Sequence, residues 1–300
     1  MSIHSVDDVL RLRNGAFIAQ RLRWIDDRLH WHDGFTRSDL IQRFGISPQQ
    51  ASADIAMYLG LADRNAAVNT STKGYVKLAS FVPLFPKNPF RWMSDAVESG
   101  DRSVIPCESL TLPSRRVDDK VMTALMAGFA SRQAVAISYQ SLTTAEVTRR
   151  LICPHNVVDT GDRVHVRAWD DRRRLFSDFV LGRILRAELD LEYPWVDAIA
   201  DTSWNETIEV VLAPDRGLSA SQMAAIKREF QMKDGRAAIP VRKALLVYFL
   251  GRLGLLEAVR RGDSSPDVSR GISCLNPHEL RPILPAPALA ATKLEKAQRR

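Results

Sequence analysis

The sequence predicts an α+β, multidomain protein: an N-terminal winged helix-turn-helix, a strand-rich centre and a small α/β C-terminal module. Three observations predict it. Two short capped helices meet at Gly45 and are followed by a hairpin pattern. The hydrophobic period changes from helical to two at Ala134. And 300 residues are enough for two or three domains, each with its own core.

In chain order, residues 5–32 read as one helix, because Phe17, Ile18, Arg21, Leu22, Ile25 and Leu29 recur at helical spacing. His30 and His32 lie two apart, so they cannot share a helical face and make a poor metal pair. Thr36 to Leu59 then reads as two helices around a tight turn. Thr36 and Asp39 have capping-box spacing. Leu40, Ile41 and Phe44 form an apolar stripe, and Gly45 sits where a helix stops, because glycine enters the left-handed region without steric cost. Ser47 as N-cap and Pro48 at the first helical position start the second helix. Its inward face is Ala51, Ile55, Tyr58 and Leu59; its outward face is Gln49, Gln50, Ala53 and Met57, with Ser52 on the edge. A polar, uncharged face of this kind suits base edges in a major groove: glutamine pairs with adenine, serine donates or accepts, and an alanine methyl touches thymine. An ordinary helical hairpin with a solvated face would carry the same pattern.

Asn65 to Leu78 reads as a β-hairpin with Lys73-Gly74 at its tip, placed as the wing of a winged helix. There Lys73, Tyr75 and Lys77 either reach phosphates or are simply solvated. Together with Arg37 and Ser47, Lys73 and Tyr75 would hold the DNA backbone, while Gln49, Gln50 and Ser52 read bases. Five prolines between 81 and 116 mark a linker or loosely folded bridge. Val117–Arg132 reads as a helix, followed by strands at about 134–142, 147–158, 163–170 and 175–190, a small bent sheet or barrel. In RVHVRAWD, His165, Arg167 and Trp169 share one face, a combination suited to anionic ligands that stack, such as nucleotides. The alternative is a solvent-facing basic strip paired with Asp170, Asp171 and Asp178. Beyond it lie a strand within 200–214, a helix from Ser219 to Met232 and an apolar helix from Pro240 to Leu256. Leu245, Leu246, Phe249, Leu250 and Leu253 suit either a core or a subunit interface. Residues 263–300 read as partly ordered at best.

Composition narrows the class. No run reaches the ~18 apolar residues of a membrane span, and MSIHSVDDVL has early acids in place of a secretory apolar core. Cys107, Cys153 and Cys274 lie apart with no CxxC, which argues against a zinc ribbon or disulfide framework and fits a reducing cytoplasm. No metal or cofactor is expected. Net charge is +7, but residues 1–80 hold 10 basic and 8 acidic side chains, so the excess does not mark the helix pair.

The motifs RSDLIQRFGISPQQASADIAMYL, KGYVKLASFVPLF, ISYQSLT, RRLICPHNVV, GDRVHVRAW and FSDFVLGRI together resemble the WYL-domain transcriptional regulators of the BrxR/CapW type, encoded beside bacterial anti-phage defence systems. The resemblance spans nearly the whole chain through about Leu256. It implies an Sm-like β-barrel WYL domain and a C-terminal extension that helps form a homodimer. The domains would be 1–92 (winged helix-turn-helix), 93–133 (linker and bridging helix), 134–200 (WYL, ligand-sensing) and 201–300 (dimerisation module and tail). The WYL triplet falls on Val164, His165 and Val166, a departure from the literal motif. The family's pocket would map onto Tyr139, Ser141, Arg150, His155, His165, Arg167 and Arg183. The implied function is a dimeric repressor on an inverted-repeat DNA operator of a phage-defence operon, relieved by a nucleotide or nucleic-acid-derived ligand. An activator shares every one of these residues. An enzyme cleaving oligonucleotides with His155 and His165 as acid and base is the reading from another class; the chain has no nucleophile motif, glycine-rich phosphate loop or carboxylate cluster to support it.

Overall fold

The computed structural model describes residues 4–71, 73–99, 115–142, 146–266 and 270–285. The chain forms two compact units, residues 1–113 and 114–300.

In the first unit, α1 (Val6–Leu10) and α2 (Gly15–His32) replace the single helix expected over 5–32. The break has a local cause. Asn14 is left-handed (φ 63°), and a Cβ on Gly15 would lie 2.2 Å from the Val9 carbonyl oxygen, so the chain can turn there only with glycine. β1 (Gly34–Thr36) leads into α3 (Arg37–Phe44) and α4 (Pro48–Leu61). The caps are as the spacing predicts: Thr36 Oγ1 accepts from Asp39 N–H while Asp39 accepts from Thr36 N–H, Gly45 closes α3 at φ 61°, and Ser47 caps α4. β2 (Ala66–Asn69) and β3 (Gly74–Lys77) form the hairpin, and β1 joins it in the order β1-β3-β2. That third strand was invisible in the sequence because three residues are too few to show a period.

Leu22, Ile25 and Leu29 of α2 and Leu40, Ile55 and Tyr58 are buried together. Each is worth about 1.5–3 kcal/mol relative to exposure. Asp26 is fully buried among them (0% exposed) and accepts from the Tyr58 hydroxyl (2.6 Å), Leu84 N–H (3.2 Å) and Phe85 N–H (3.1 Å), with Lys87 Nζ at 2.6 Å. The proline-rich run expected to be a loose bridge is therefore bound at its start: residues 82–87 clasp α2, Phe85 is buried, and α5 (Pro89–Ser99) follows. Trp92 of α5 stacks on Trp31 (5.5 Å). Residues 100–114 of that run, Cys107 among them, lie outside the described residues.

In the second unit, α6 (Asp119–Ser131) packs across one face of an antiparallel sheet of β4 (Ala134–Gln140), β5 (Val147–Asp159), β6 (Val164–Asp170), β7 (Leu175–Val180) and β8 (Ile184–Asp190). The strand order is β7-β6-β5-β4-β8. The fourth expected strand, 175–190, is thus two strands separated by a 3-10 turn at Leu181–Arg183. β7 and β8 end the sheet and do not pair, so among the described residues the expected closed barrel is not formed. Val121 and Leu125 of α6 pack on Val135, Ile137, Ile152, Val166 and Phe179.

After α7 (Thr202–Asn205) comes a small sheet of order β10-β9-β11, built from β9 (Thr207–Pro214), β10 (Ala237–Arg242) and β11 (Ile272–Cys274). It packs with α9 (Leu246–Leu253), α10 (Leu256–Arg261) and α11 (Pro277–Leu280), while α8 (Ala220–Glu229) has the Ser219 cap. The apolar helix expected from Pro240 is a correction: Pro240 belongs to β10, at a sheet edge where a missing N–H is tolerated, and helix begins only after Arg242. Leu246 and Leu250 are core. Within the stretch expected to be partly ordered at best, β11 and α11 are formed and bury Ile272, Cys274 and Leu280; residues 267–269 and 286–300 lie outside the described residues.

Candidate nucleic-acid interface and a buried charged cluster

α4 is fastened to α2 at two points. The Tyr58 hydroxyl meets Asp26 near its C-terminal end. Nearer its start, Asp54 (1% exposed) takes Arg21 through both oxygens, Nε at 2.6 Å and Nη2 at 3.1 Å. Burial and the Asp26 carboxylate both push the Tyr58 phenol's pKa up, so it stays a donor. Asp54 went unnoticed in the sequence, although its position gave it away: 51, 54, 55 and 58 are one helical face, and a carboxylate in an apolar stripe needs a partner.

Around the start of α4, Arg37, Ser47, Gln49, Gln50, Ser52 and Ala53 are exposed. Arg37 Nη1 donates to Ser52 Oγ (3.2 Å), and Ser47 Oγ accepts from Gln50 N–H (3.1 Å). Gln50 Nε2 donates to Asp54 Oδ1 (2.9 Å). Met57, expected to face outward, instead packs on the core from a half-buried position. A groove of about 470 Å³ opens beside Gln50, between the starts of α2 and α4; Arg13, Phe17, Ile18, Arg21 and Ile46 line it. At the wing, Lys73 is exposed at the tip. The Tyr75 ring is stacked on Phe35 (5.1 Å, 16°), and Lys77 pairs with Asp33 and donates to the His30 carbonyl.

The second expected site is rearranged. Tyr139 and Arg150 lie on the sheet face that packs on α6: Tyr139 is edge-on to Phe179, its hydroxyl accepting from Val180 N–H, and Arg150 pairs with Asp170 and lies over Phe179. His155, His165 and Arg167 belong to the opposite face. The seven residues therefore do not converge on one pocket. Parity already separates 150 from 155 on a strand. A bulge between Pro154 and Asn156 then sets His155 and Asn156 both near Arg167. Ser141 lies just past the end of β4, and Arg183, half-buried in the 3-10 turn, bears electrostatically on His165.

Nor is this face a solvent-exposed basic strip. Residues 191–205 and α9 cover it, leaving His165 6% and Arg167 7% exposed. Arg167 donates to Asp201 through Nε (2.8 Å) and Nη2 (3.0 Å), and through Nη1 to Asp178 (3.1 Å). Asp178 also accepts from the Tyr248 hydroxyl of α9 (2.8 Å), and the His165 ring tilts against Tyr248 at 4.9 Å. His155 Nε2 meets Asp201 (3.0 Å), and its Nδ1 meets the Asn156 amide (3.0 Å), the pattern of a neutral imidazole. Burial lowers the pKa of His155, against the pull of Asp201. It lowers that of His165 likewise, against Asp178. For Arg167 burial opposes the charge, but Asp201 and Asp178 outweigh it and the net shift is upward. One cation between two carboxylates leaves a negative charge in excess, the reverse of the basic pocket expected. His165 Nδ1 is buried with no hydrogen-bond partner.

No group of three or more His, Cys, Asp or Glu among the described residues could hold a metal ion, and no described helix is long and apolar enough to cross a membrane.

Comparison with known proteins follows the same divisions. Residues 18–93 match the BrxR transcriptional regulator winged helix-turn-helix domain, residues 120–189 the WYL domain, and residues 207–280 the BrxR transcriptional regulator C-terminal dimerization domain. The DNA-binding transcriptional repressor CapW of Pseudomonas aeruginosa is 33% identical over 288 residues, 91% of this chain and 94% of that one. Its counterpart of the same name in Stenotrophomonas maltophilia is 32% identical over 247 residues, 79% of this chain and 83% of that one. Among solved structures, proteasome accessory factor B/C (PafBC) of Arthrobacter aurescens is 16% identical, covering 93% of this chain but 47% of that one, with a TM-score of 0.26.

Proposed function

This chain belongs to the BrxR/CapW family of WYL-domain transcriptional regulators, and on that premise we propose that it is a sequence-specific DNA-binding repressor. It would act as a homodimer on an inverted repeat upstream of a phage-defence operon. The observation that carries the reading is the exposed polar row Gln49, Gln50 and Ser52 at the start of a helix fixed at two points to its domain. Gln49, Gln50 and Ser52 would read base edges; Arg37, Ser47, Lys73 and the Tyr75 hydroxyl would hold phosphates. Twofold symmetry would place two such helices about 34–36 Å apart, one DNA turn, or a multiple of it. A gel-shift titration on the DNA upstream of the gene tests this. Gln50→Ala should weaken binding to that DNA by about tenfold and leave binding to random duplex unchanged. Equal affinities for the two DNAs in the wild type would refute it.

We further infer that a nucleotide or nucleic-acid-derived anion relieves repression, on a condition the cluster imposes. Because Asp201 and Asp178 hold Arg167 through three of its five N–H donors and the side chain is buried, an anion would have to displace a carboxylate to reach it. Asp201→Asn should then tighten binding of short oligonucleotides to the full-length protein. Unchanged affinity would move the ligand elsewhere.

A further inference from the structure

We propose that Arg21 and Asp54 set the base preference of Gln50 by fixing which end of its carboxamide faces the DNA. The proposal rests on α4 being the base-reading helix.

The argument is one of donors and acceptors. Asp54, held by Arg21 through both oxygens, can only accept hydrogen bonds. The end of Gln50 that meets it must therefore be the amide nitrogen, and Nε2 donates to Oδ1 at 2.9 Å. Chemistry alone forbids the flipped amide, which would set oxygen against oxygen. Oε1 is thus the end turned away from Asp54, on a side chain that is exposed at the third position of α4. Space for other orientations exists, because the groove between α2 and α4 opens directly beside Gln50. What selects one of them is the buried pair. A free glutamine serves amino and keto bases equally well by turning over. A glutamine held with its carbonyl outward favours bases carrying an exocyclic amino group at the major-groove edge, adenine N6 or cytosine N4, over guanine O6 or thymine O4. Arg21 and Asp54 are positioning residues, since neither needs to touch DNA to act.

The test is selection from a randomised duplex library with full-length wild type, Asp54→Asn, Gln50→Met and the double variant. Wild type should yield a motif in which one position per half-site prefers amino over keto bases by about tenfold. Asp54→Asn, whose amide also lets Gln50 turn over, should cut that preference to about threefold or less and leave the other positions as they were. Gln50→Met should flatten the same position, and the double variant should add nothing further. Arg21→Lys keeps the charge but lacks the fork, so it should give an intermediate preference; it carries the test if Asp54→Asn does not fold. An unaltered preference in both Asp54→Asn and Arg21→Lys overturns the proposal. So does a loss spread evenly over all positions, or a further flattening in the double variant. A wild-type selection with no motif removes the base-reading helix itself, and this proposal with it.

Discussion

Removing a single oxygen tests how the winged helix holds its reading helix. Tyr58→Phe keeps the buried ring and deletes the hydroxyl that donates to Asp26 at 2.6 Å and accepts from Asn65 Nδ2 at 3.0 Å. Asp26 keeps three other donors, Leu84 N–H, Phe85 N–H and Lys87, so its charge stays compensated. Asn65 keeps the Val82 carbonyl at 2.8 Å. The loss is therefore two hydrogen bonds, one to a charged group (about 1.5–3 kcal/mol) and one neutral (about 0.5–1.5 kcal/mol), without the larger cost of an orphaned carboxylate. With a urea slope of about 1–3 kcal/mol per molar, the midpoint should fall by about 1–2 M. Pulsed hydrogen exchange read by mass spectrometry separates the two compact units, which a single optical probe would mix. Peptides from residues 4–99 should show the shift, and those from 115–285 should not. A midpoint unchanged within about 0.2 M in the first unit would mean the Tyr58–Asp26 bond adds nothing net.

Two further outcomes follow from the second unit. His155 and His165 have folded pKa values below the ordinary 6.5, so above pH 6.5 both folded and unfolded chains are neutral there and the stability is complete. As pH falls below 6.5 the unfolded chain takes protons first, and stability should drop by up to about 1.4 kcal/mol per pH unit for each histidine; urea midpoints equal at pH 7.5 and 5.5 would contradict this. Gly128→Ala would bring a Cβ within 2.5 Å of Val135 Cγ2 in a buried contact. The crowding, about 1–3 kcal/mol, should exceed the roughly 1 kcal/mol that alanine gains in a helix, so a raised melting temperature would refute the packing described.

What the sequence made legible was local. The caps at Thr36, Ser47 and Ser219 and the stop at Gly45 are written within four residues, and each is found where the spacing put it. What it hid depends on distant partners. Asp26 and Tyr58 are 32 residues apart, Arg21 and Asp54 are 33, and Arg167 and Asp201 are 34. Nothing in a periodicity announces such pairs; it shows only a charge in the wrong place, as at Asp54. Pro240 misled for a different reason: an apolar run spanning an edge strand and the helix after it has no single period to betray the junction. Of the two carboxylates on Arg167, Asp178 was within reach of the sequence, which named it as a partner in the basic-strip alternative; Asp201, in the segment after the sheet, was not.

β6 has something packed against it on both sides. On one side is α6, the first helix after the chain comes into this unit. On the other, through Asp178 and His165, is Tyr248 of α9, more than a hundred residues further along. Two segments remote in sequence are thus separated by the thickness of one sheet, about 10 Å on either side. A push of even a side chain's width at Tyr248 has no soft layer in which to be lost, since close-packed interiors pass displacement on.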